Sequence, residues 1–538
     1  MSRKDVPWGD IFRLYLFFWY FSGLPQILYL CAGVGEASLL LDTFPLSLVW
    51  LAVVLLLPRR APLVSGVIGL ALWSASLVGL SYFGIHGYAI TQSVVFAMFE
   101  SNPEESKEFL SQYFDPWMIL GLALYTLCAF LLWRRVRPLA LPCVSALTAC
   151  VSLLAVSLAY PLLARRGADA VTSWQILAGY TQYHRQLAQV RKLLAGEAPP
   201  LQDLTDANGD TPRTLVLVVG ESTTSQHMSL YGYPRRTSPR LEAMRSSLTV
   251  FEDVIAPRPY TIEVLQQALS FAHQEEPRRF PGEPTLLDLM RQAGYKTIWI
   301  TNQQTMDRVS LLTMFPRQAD EAHYLNQQFR QDANQDDAAV LAPFAQALLD
   351  PAPKKMIVVH LLGAHLKYQY RYPAAFDRFH GREHTPPGLD DARLTYVNAY
   401  DNAVLYNDEI IARLIESFEA SQAHGFLLYF SDHGEEVFDT PPHQTLGRNE
   451  DAPTPGMYRI PMILWTSPSW QSAHRRDFGA GVKRRYSTTH LIHTWSDLAG
   501  LRYDRYRPEW SVANPAFQPF TRWIGNPGGE LRDFDATD

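Results

Sequence analysis

Five apolar stretches crowd the first third of the chain, near residues 11–33, 43–57, 62–84, 116–133 and 139–163, each long enough to cross a bilayer or nearly so. The second is short, and Pro58 with Pro62 argues a tight return into the third. Arg3 and Lys4 precede the first stretch, the layout of a signal peptide, but four further spans follow, so an uncleaved anchor is expected. Composition divides at the same place. Residues 1–165 hold 19 of the 100 Asp, Glu, Lys and Arg residues, while the other 373 residues hold 81, an ordinary density for a water-soluble domain. A membrane part joined to a soluble part follows. The hydrophobic content of 47% excludes a disordered or fibrous chain. A net charge of -6 without a long basic tract excludes nucleic acid as a partner.

Loop charges set the expected orientation. Arg3, Lys4 and Arg13 lie at the start, Arg59 and Arg60 between spans two and three, and Arg134, Arg135 and Arg137 between spans four and five. The loops at 34–42 and 85–115 hold one basic residue, Lys107. The positive-inside rule places the N-terminus in the cytoplasm, and five crossings deliver everything after about residue 165 to the outside. Arg165 and Arg166 are basic on the opposite side. Helix-like spacing in 91–114 and a helix-start pattern at Ser101-Asn102-Pro103-Glu104 describe either an amphipathic pair on the outer membrane surface or a solvated loop helix. All four cysteines, Cys31, Cys128, Cys143 and Cys150, lie in or beside the apolar stretches and read as small core residues. The soluble part therefore holds no disulfide and no Cys-ligated zinc.

The expected organisation is a transmembrane domain over 1–166, a bridging helix and linker over 167–210, broken by Pro199, Pro200 and Gly209, and a soluble domain over 211–538. In the last, "RTLVLVVGE" is a nearly continuous apolar run, the pattern of a strand buried on both faces. Residues 295–302, 354–365, 425–436 and 460–467 repeat it, with helical patterns at 284–293, 338–350 and 391–419 between. Strands alternating with helices predict an α/β fold with a mostly parallel sheet, whose sites lie beyond the carboxyl ends of the strands. There the chain places Glu221, Asn302, His365 and the pair Asp432-His433. A carboxylate, an Asp-His pair and a further histidine at one sheet edge form a ligand set for zinc or a similar ion. Neighbouring Asp and His on a strand point oppositely, so the "SDHGE" turn has to bend, and Gly434 is the residue expected to permit it. His360 reads as an ordinary core or surface histidine.

The segments "LVLVVGESTTSQHMSLYGYPRRTSP", "VIAPRPYTIEVLQQAL", "VNAYDNAVLYND" and "LLYFSDHGEE" together resemble the bacterial phosphoethanolamine transferases, inner-membrane enzymes with a periplasmic sulfatase-like domain of the alkaline phosphatase superfamily. The resemblance covers nearly the whole chain and points to the lipopolysaccharide-modifying branch, core heptose or lipid A. It implies a set of roles. Glu221, Thr261, Asp432 and His433 correspond to the zinc ligands, with Thr261 in "PRPYTIE" as nucleophile. His365 and His443 correspond to residues that flank the phosphoryl group or help hold a second metal. Ser222, Thr223 and Thr224 are the rival hydroxyls, but in the family that segment supplies the ligand Glu. Asn302, with Ser101, Asn102 and Glu105 in the outer loop, completes the candidate substrate contacts. Two departures stand out: the soluble domain lacks the disulfides of many lipid A-modifying relatives, and Pro257, Pro259 and Tyr260 replace small residues before Thr261.

What the resemblance implies chemically is a two-step transfer. Zinc lowers the pKa of a coordinated hydroxyl as it lowers that of water, from 15.7 to about 7. Thr261 then attacks phosphatidylethanolamine, releases diacylglycerol and carries phosphoethanolamine to lipopolysaccharide or another envelope glycan. A monomer in the inner membrane is expected. A glycerol-phosphate transferase of the same superfamily is the alternative. A sulfatase would need a Cys or Ser in a C/S-x-P-x-R context, where this chain has Thr261, and a non-catalytic scaffold would not need the full ligand set.

Overall fold

A computed structural model describes residues 7–537, apart from 88, 91, 101–115, 165–170, 197, 281, 304, 306–308, 327–335, 451 and 528–530. The chain forms two compact units, Met1–Arg185 and Gln186–Asp538.

In the first unit the apolar stretches are helices: α1 (Trp8–Cys31), α2 (Ala37–Leu55), α3 (Ala61–His86), then α4 (Gln92–Glu100), α5 (Pro116–Trp133) and α6 (Cys143–Ala164); α7 (Thr172–Ala195) begins in this unit and ends in the second. Among the described residues α1, α2, α3 and α5 are long and apolar enough to cross a bilayer, and in α6 the apolar part is Val144–Ser157. A single 3-10 turn, Pro58–Arg60, makes the return between α2 and α3. Pro62 follows in the first turn of α3, where no backbone N–H is needed. One expectation shifts: α2 starts at Ala37, so Asp42 is not in a loop but in the helix, buried, accepting a hydrogen bond from Tyr160. Leu14, Phe17, Phe21, Leu51, Val54 and Tyr125 pack the interior of the bundle. Phe12, Leu63, Val67, Leu70, Leu124 and Val151 point outward, an apolar exterior that a bilayer covers. Cys150 is buried as expected, but Cys31 and Cys128 lie on exposed faces instead of the core. Ser101, Asn102 and Glu105 lie outside the described residues.

The second unit is built on a seven-stranded sheet. Its strands in chain order are β1 (Arg213–Gly220), β2 (Leu248–Phe251), β3 (Lys296–Thr301), β4 (Glu321–Tyr324), β5 (Lys354–His360), β6 (Gly425–Ser431) and β7 (Met462–Thr466). Across the sheet they run β2-β7-β6-β1-β5-β3-β4, all parallel except β7, which is antiparallel to both of its neighbours. All eight residues of the central β1 are buried, the consequence of its unbroken apolar run. The five expected strands are present. The edge strands β2 and β4 were not foreseen, because short, half-buried edges carry no continuous apolar signal. Helices α8 (Thr261–Ala268), α9 (Leu286–Gln292), α10 (Leu341–Leu348) and α11 (Asp391–Ala420) follow in sequence, and α11 buries Tyr400, Val404, Ile411 and Ile415 in the main core.

Candidate active site

Register brings the first ligands together. β1 and β6 are parallel neighbours with Gly220 opposite Ser431, so the next residues, Glu221 and Asp432, leave the sheet side by side. The amide of Asp432 donates to Gly220 O at 3.1 Å. Glu221, Asp432 and His433 are all buried, with ligand atoms within 4.8 Å of one another. Gly434 serves this turn in a different way from the expected one. Its φ is not positive; instead a Cβ there would fall 2.1 Å from Gly456 O, so the glycine is required by close approach of the short helix Pro455–Tyr458.

Thr261 is the first residue of α8, after the N-cap position held by Tyr260. Its hydroxyl donates to Glu221 Oε2 at 3.1 Å and lies 3.4 Å from His433 Nε2. His433 Nε2 is 3.2 Å from Glu221 Oε1 and 3.3 Å from Asp432 Oδ2. Four ligands on a tetrahedron with bonds of about 2.0 Å would stand about 3.3 Å apart. Thr261 and His433 stand at such spacings from a Glu221 oxygen and from each other, and His433 from Asp432, as donors to one ion would. Asp432 Oδ2 is buried with no hydrogen-bond partner, another mark of a cation site. Charge agrees with geometry. Burial and the neighbouring Glu221 push Asp432 well above the usual carboxylate range. Burial also tends to raise Glu221, but His433, His365 and Arg448 hold it well below that range. Two carboxylates this close need a cation to be charged together.

The rival hydroxyls are committed elsewhere. Ser222 Oγ donates to Glu221 Oε1 at 2.6 Å, Thr223 Oγ1 donates to Glu221 O at 3.1 Å, and Thr224 Oγ1 donates to Arg459 O at 3.1 Å. Side chains of α11 clamp the same loop: Tyr400 OH donates to Ser222 O, and Asn407 Nδ2 donates to Thr223 Oγ1. All three residues are fully buried, whereas Thr261 is half-buried.

His365 lies beyond β5, its Nδ1 buried without a hydrogen-bond partner. Burial pushes its imidazole down to about 4. Asn302 Nδ2 donates to Asp337 Oδ1 at 2.8 Å, and Asp337 in turn accepts from Leu362 N and Gly363 N, so the pair shapes the loop leading to His365. His443 Nδ1 donates to Phe438 O at 2.8 Å, and among the described residues no contact joins it to Glu221, Asp432 or His433. His360 is a core histidine packed near Trp299.

Three participants were missed from sequence. Gln303 Nε2 donates to Glu221 Oε2 at 3.2 Å. Arg448 reaches His433 Nε2 and pairs with Glu435 Oε2 at 3.2 Å. Gln303 stands next to a strand end already marked by Asn302, which is the one available signal. Arg448 and Glu435 meet only because a short hairpin, Leu446 opposite Val437 and Gly447 opposite Glu436, folds the chain back.

Residues 213–501, over half of the chain, match the sulfatase family. This fits a mostly parallel sheet with metal-type ligands at its carboxyl edge. Phosphoethanolamine transferase EptC of Escherichia coli strain K12 is 49% identical over 560 residues, covering 99% of this chain and 97% of that protein. The crystal structure of the C-terminal periplasmic domain of Escherichia coli EptC, in complex with Zn, is 57% identical, with a TM-score of 0.62 over 63% of this chain and 97% of that one. The integral membrane protein lipooligosaccharide phosphoethanolamine transferase A of Neisseria meningitidis, 19% identical, has a TM-score of 0.67 over 95% of this chain and 99% of that one, a likeness of fold. The chain belongs to the phosphoethanolamine transferase family.

Proposed function

We propose that the protein transfers phosphoethanolamine from phosphatidylethanolamine to lipopolysaccharide, with core heptose as the acceptor region ahead of lipid A, and that residues 211–538 are the catalytic domain on the periplasmic side of the inner membrane. The observation that carries the reading is the cluster of donors from Glu221, Asp432, His433 and Thr261, in which Thr261 and His433 lie 3.1–3.4 Å from a Glu221 oxygen and from each other, and His433 lies 3.3 Å from Asp432. Support for the orientation comes from the loop charges, and support for core heptose from the absence of cysteine in the domain. The zinc of the Escherichia coli domain supports zinc as the ion, and the O, O, N, O donor set fits it. When bound, zinc supplies Lewis-acid polarisation and lowers the pKa of a coordinated hydroxyl.

The residues perform the rest. Thr261 Oγ1 forms the bond to phosphorus as the P–O bond to the glycerol oxygen breaks, and the threonine proton ends on that oxygen to give diacylglycerol. The acceptor oxygen then bonds to phosphorus, the Thr261 Oγ1–P bond breaks, and the acceptor proton returns to Thr261 Oγ1. His365, neutral at neutral pH, is assigned to carry these protons, with His443 as a further candidate. Backbone N–H groups in the first turn of α8 favour the anionic phosphoryl group beside Thr261. The apolar helices keep the domain at the surface where a lipid donor resides.

Mass spectrometry of envelope glycolipids from cells with and without the protein tests the reading. One added phosphoethanolamine on a core sugar is expected. An added glycerol phosphate would establish the alternative transferase, and no mass change would overturn both.

A further inference from the structure

Arg448 is the cation beside the site. Its side chain is 19% exposed, while those of Glu221, Asp432 and His433 are at most 1% exposed, so part of it reaches solvent where theirs do not. The guanidinium contacts His433 Nε2, its Nε lies 3.2 Å from Glu435 Oε2, its Nη1 is 3.5 Å from Pro259 O, and it sits 6.0 Å from the centre of the Tyr260 ring. Pro259 and Tyr260 immediately precede Thr261, so one arginine spans the ligand loop after β6 and the segment that presents the nucleophile. Glu435, 1% exposed, is itself fixed by a 2.9 Å hydrogen bond from Tyr368 OH.

Two demands meet on His433 Nε2. Its Nδ1 faces Gly434 O at 2.8 Å and is thereby the protonated nitrogen, which leaves Nε2 with the single lone pair that either a metal ion or an arginine N–H can use. An ion held there takes that lone pair. Arg448 keeps its tether to Glu435 and has N–H groups left over beside Thr261, and a guanidinium fork is shaped for two oxygens of one phosphate.

We propose that Arg448 is a catalytic residue that receives the phosphoryl oxygens of the donor, with Glu435 as the residue that positions it, and that Arg448 competes with the metal ion for His433. The proposal rests on the transfer reaction above for its donor.

Full-length Arg448→Ala, Arg448→Lys and Glu435→Gln proteins test it, each with its thermal unfolding midpoint recorded as a check on folding. Three readouts apply: zinc retained against a chelator series, the rate of adduct formation on Thr261 from phosphatidylethanolamine without acceptor, and the binding of inorganic phosphate to the zinc-loaded protein. Arg448→Ala should hold zinc at least as tightly as the parent, form adduct about 100-fold more slowly, and bind phosphate more weakly. Arg448→Lys should fall between, since a point charge replaces a fork. Glu435→Gln should keep zinc and show a smaller loss of phosphate binding. Loss of zinc from Arg448→Ala, with the adduct rate restored by added zinc, would make Arg448 a support for the metal ligands and overturn the proposal. Unchanged adduct rate and phosphate binding would overturn it too. If the parent protein forms no adduct from phosphatidylethanolamine, the donor assignment fails, and the phosphate measurement still decides the role of Arg448.

Discussion

Two buried charge clusters in the soluble unit handle the same problem in opposite ways. In one, His227 Nδ1 lies 2.6 Å from Asp401 Oδ1 and its Nε2 3.0 Å from Asp439, while Arg235 Nη1 and Tyr233 OH donate to Asp401 Oδ2 at 2.7 and 3.0 Å. Burial works against a charged imidazole, but Asp439 and Asp401 push His227 up to about 10, so two carboxylates face two cations. In the other, Glu221 and Asp432 share a site with His433, which burial and Arg448 hold below its ordinary value. The first cluster closes its own charge and the second does not. That difference separates a structural network from a site built to hold an ion.

The largest effects should follow from breaking the open cluster. Thr261→Ala removes the hydroxyl that would bond to phosphorus, so transfer should fall on the order of 10⁴-fold or more and no adduct should form. Peptide mapping after incubation with phosphatidylethanolamine should place the parent adduct on the peptide containing Tyr260-Thr261-Ile262; an adduct on Ser222, Thr223 or Thr224 would falsify the assignment. Glu221→Ala and Asp432→Ala should each release zinc, measured by metal analysis on the folded protein. A purified active protein without metal and resistant to chelators would sink the metal reading.

Breaking the closed cluster should do the reverse. Asp401→Asn leaves His227 and Arg235 short of a buried carboxylate, a change that costs about 3–5 kcal/mol. Unfolding should show that loss, while the zinc content of the folded fraction stays the same. A metal deficit in Asp401→Asn would mean that the two clusters are one system.

The difference was only partly visible in the sequence. Glu221 and Asp432-His433 stand out because each ends a continuous apolar run, so composition alone marks them as polar groups at the rim of a buried sheet. Thr261 carries no such mark. It reaches the site from 40 residues downstream of Glu221 through α8, and only the family resemblance singled it out. Asn302 was legible as a strand-end residue, but not its use on Asp337, because loop hydrogen bonding leaves no periodic trace. Arg448 was invisible for the same reason, since a hairpin defined by two residue pairs returns it to Glu435. His227 looked like one more histidine, and its partners lie 174 and 212 residues away.

The closed cluster should also set an alkaline limit. His227 has a folded-state value of about 10 against an ordinary 6.5, so its contribution to stability is complete below about pH 6.5 and is lost as pH rises through about 10. Unfolding midpoints measured from pH 6 to 10 should decline on that limb, and His227→Gln should flatten it. An equally steep limb in His227→Gln would assign the decline to other groups.

The smallest effect tests whether the loop between the two clusters belongs to the chemistry at all. Thr223 follows Glu221 by two residues, and its hydroxyl donates to Glu221 O while accepting from Asn407 Nδ2. Asn407 also donates to Tyr429 OH at 3.1 Å, so removing the hydroxyl leaves that amide one of its two partners. Thr223→Ala should therefore cost about 1 kcal/mol of stability, the net worth of an ordinary hydrogen bond. Transfer should stay within a few-fold of the parent, because Glu221 keeps its backbone place between Gly220 and Ser222 and its Oε1 bond from Ser222. A loss comparable to that of Thr261→Ala, without a matching loss of zinc or stability, would move the nucleophile onto this loop.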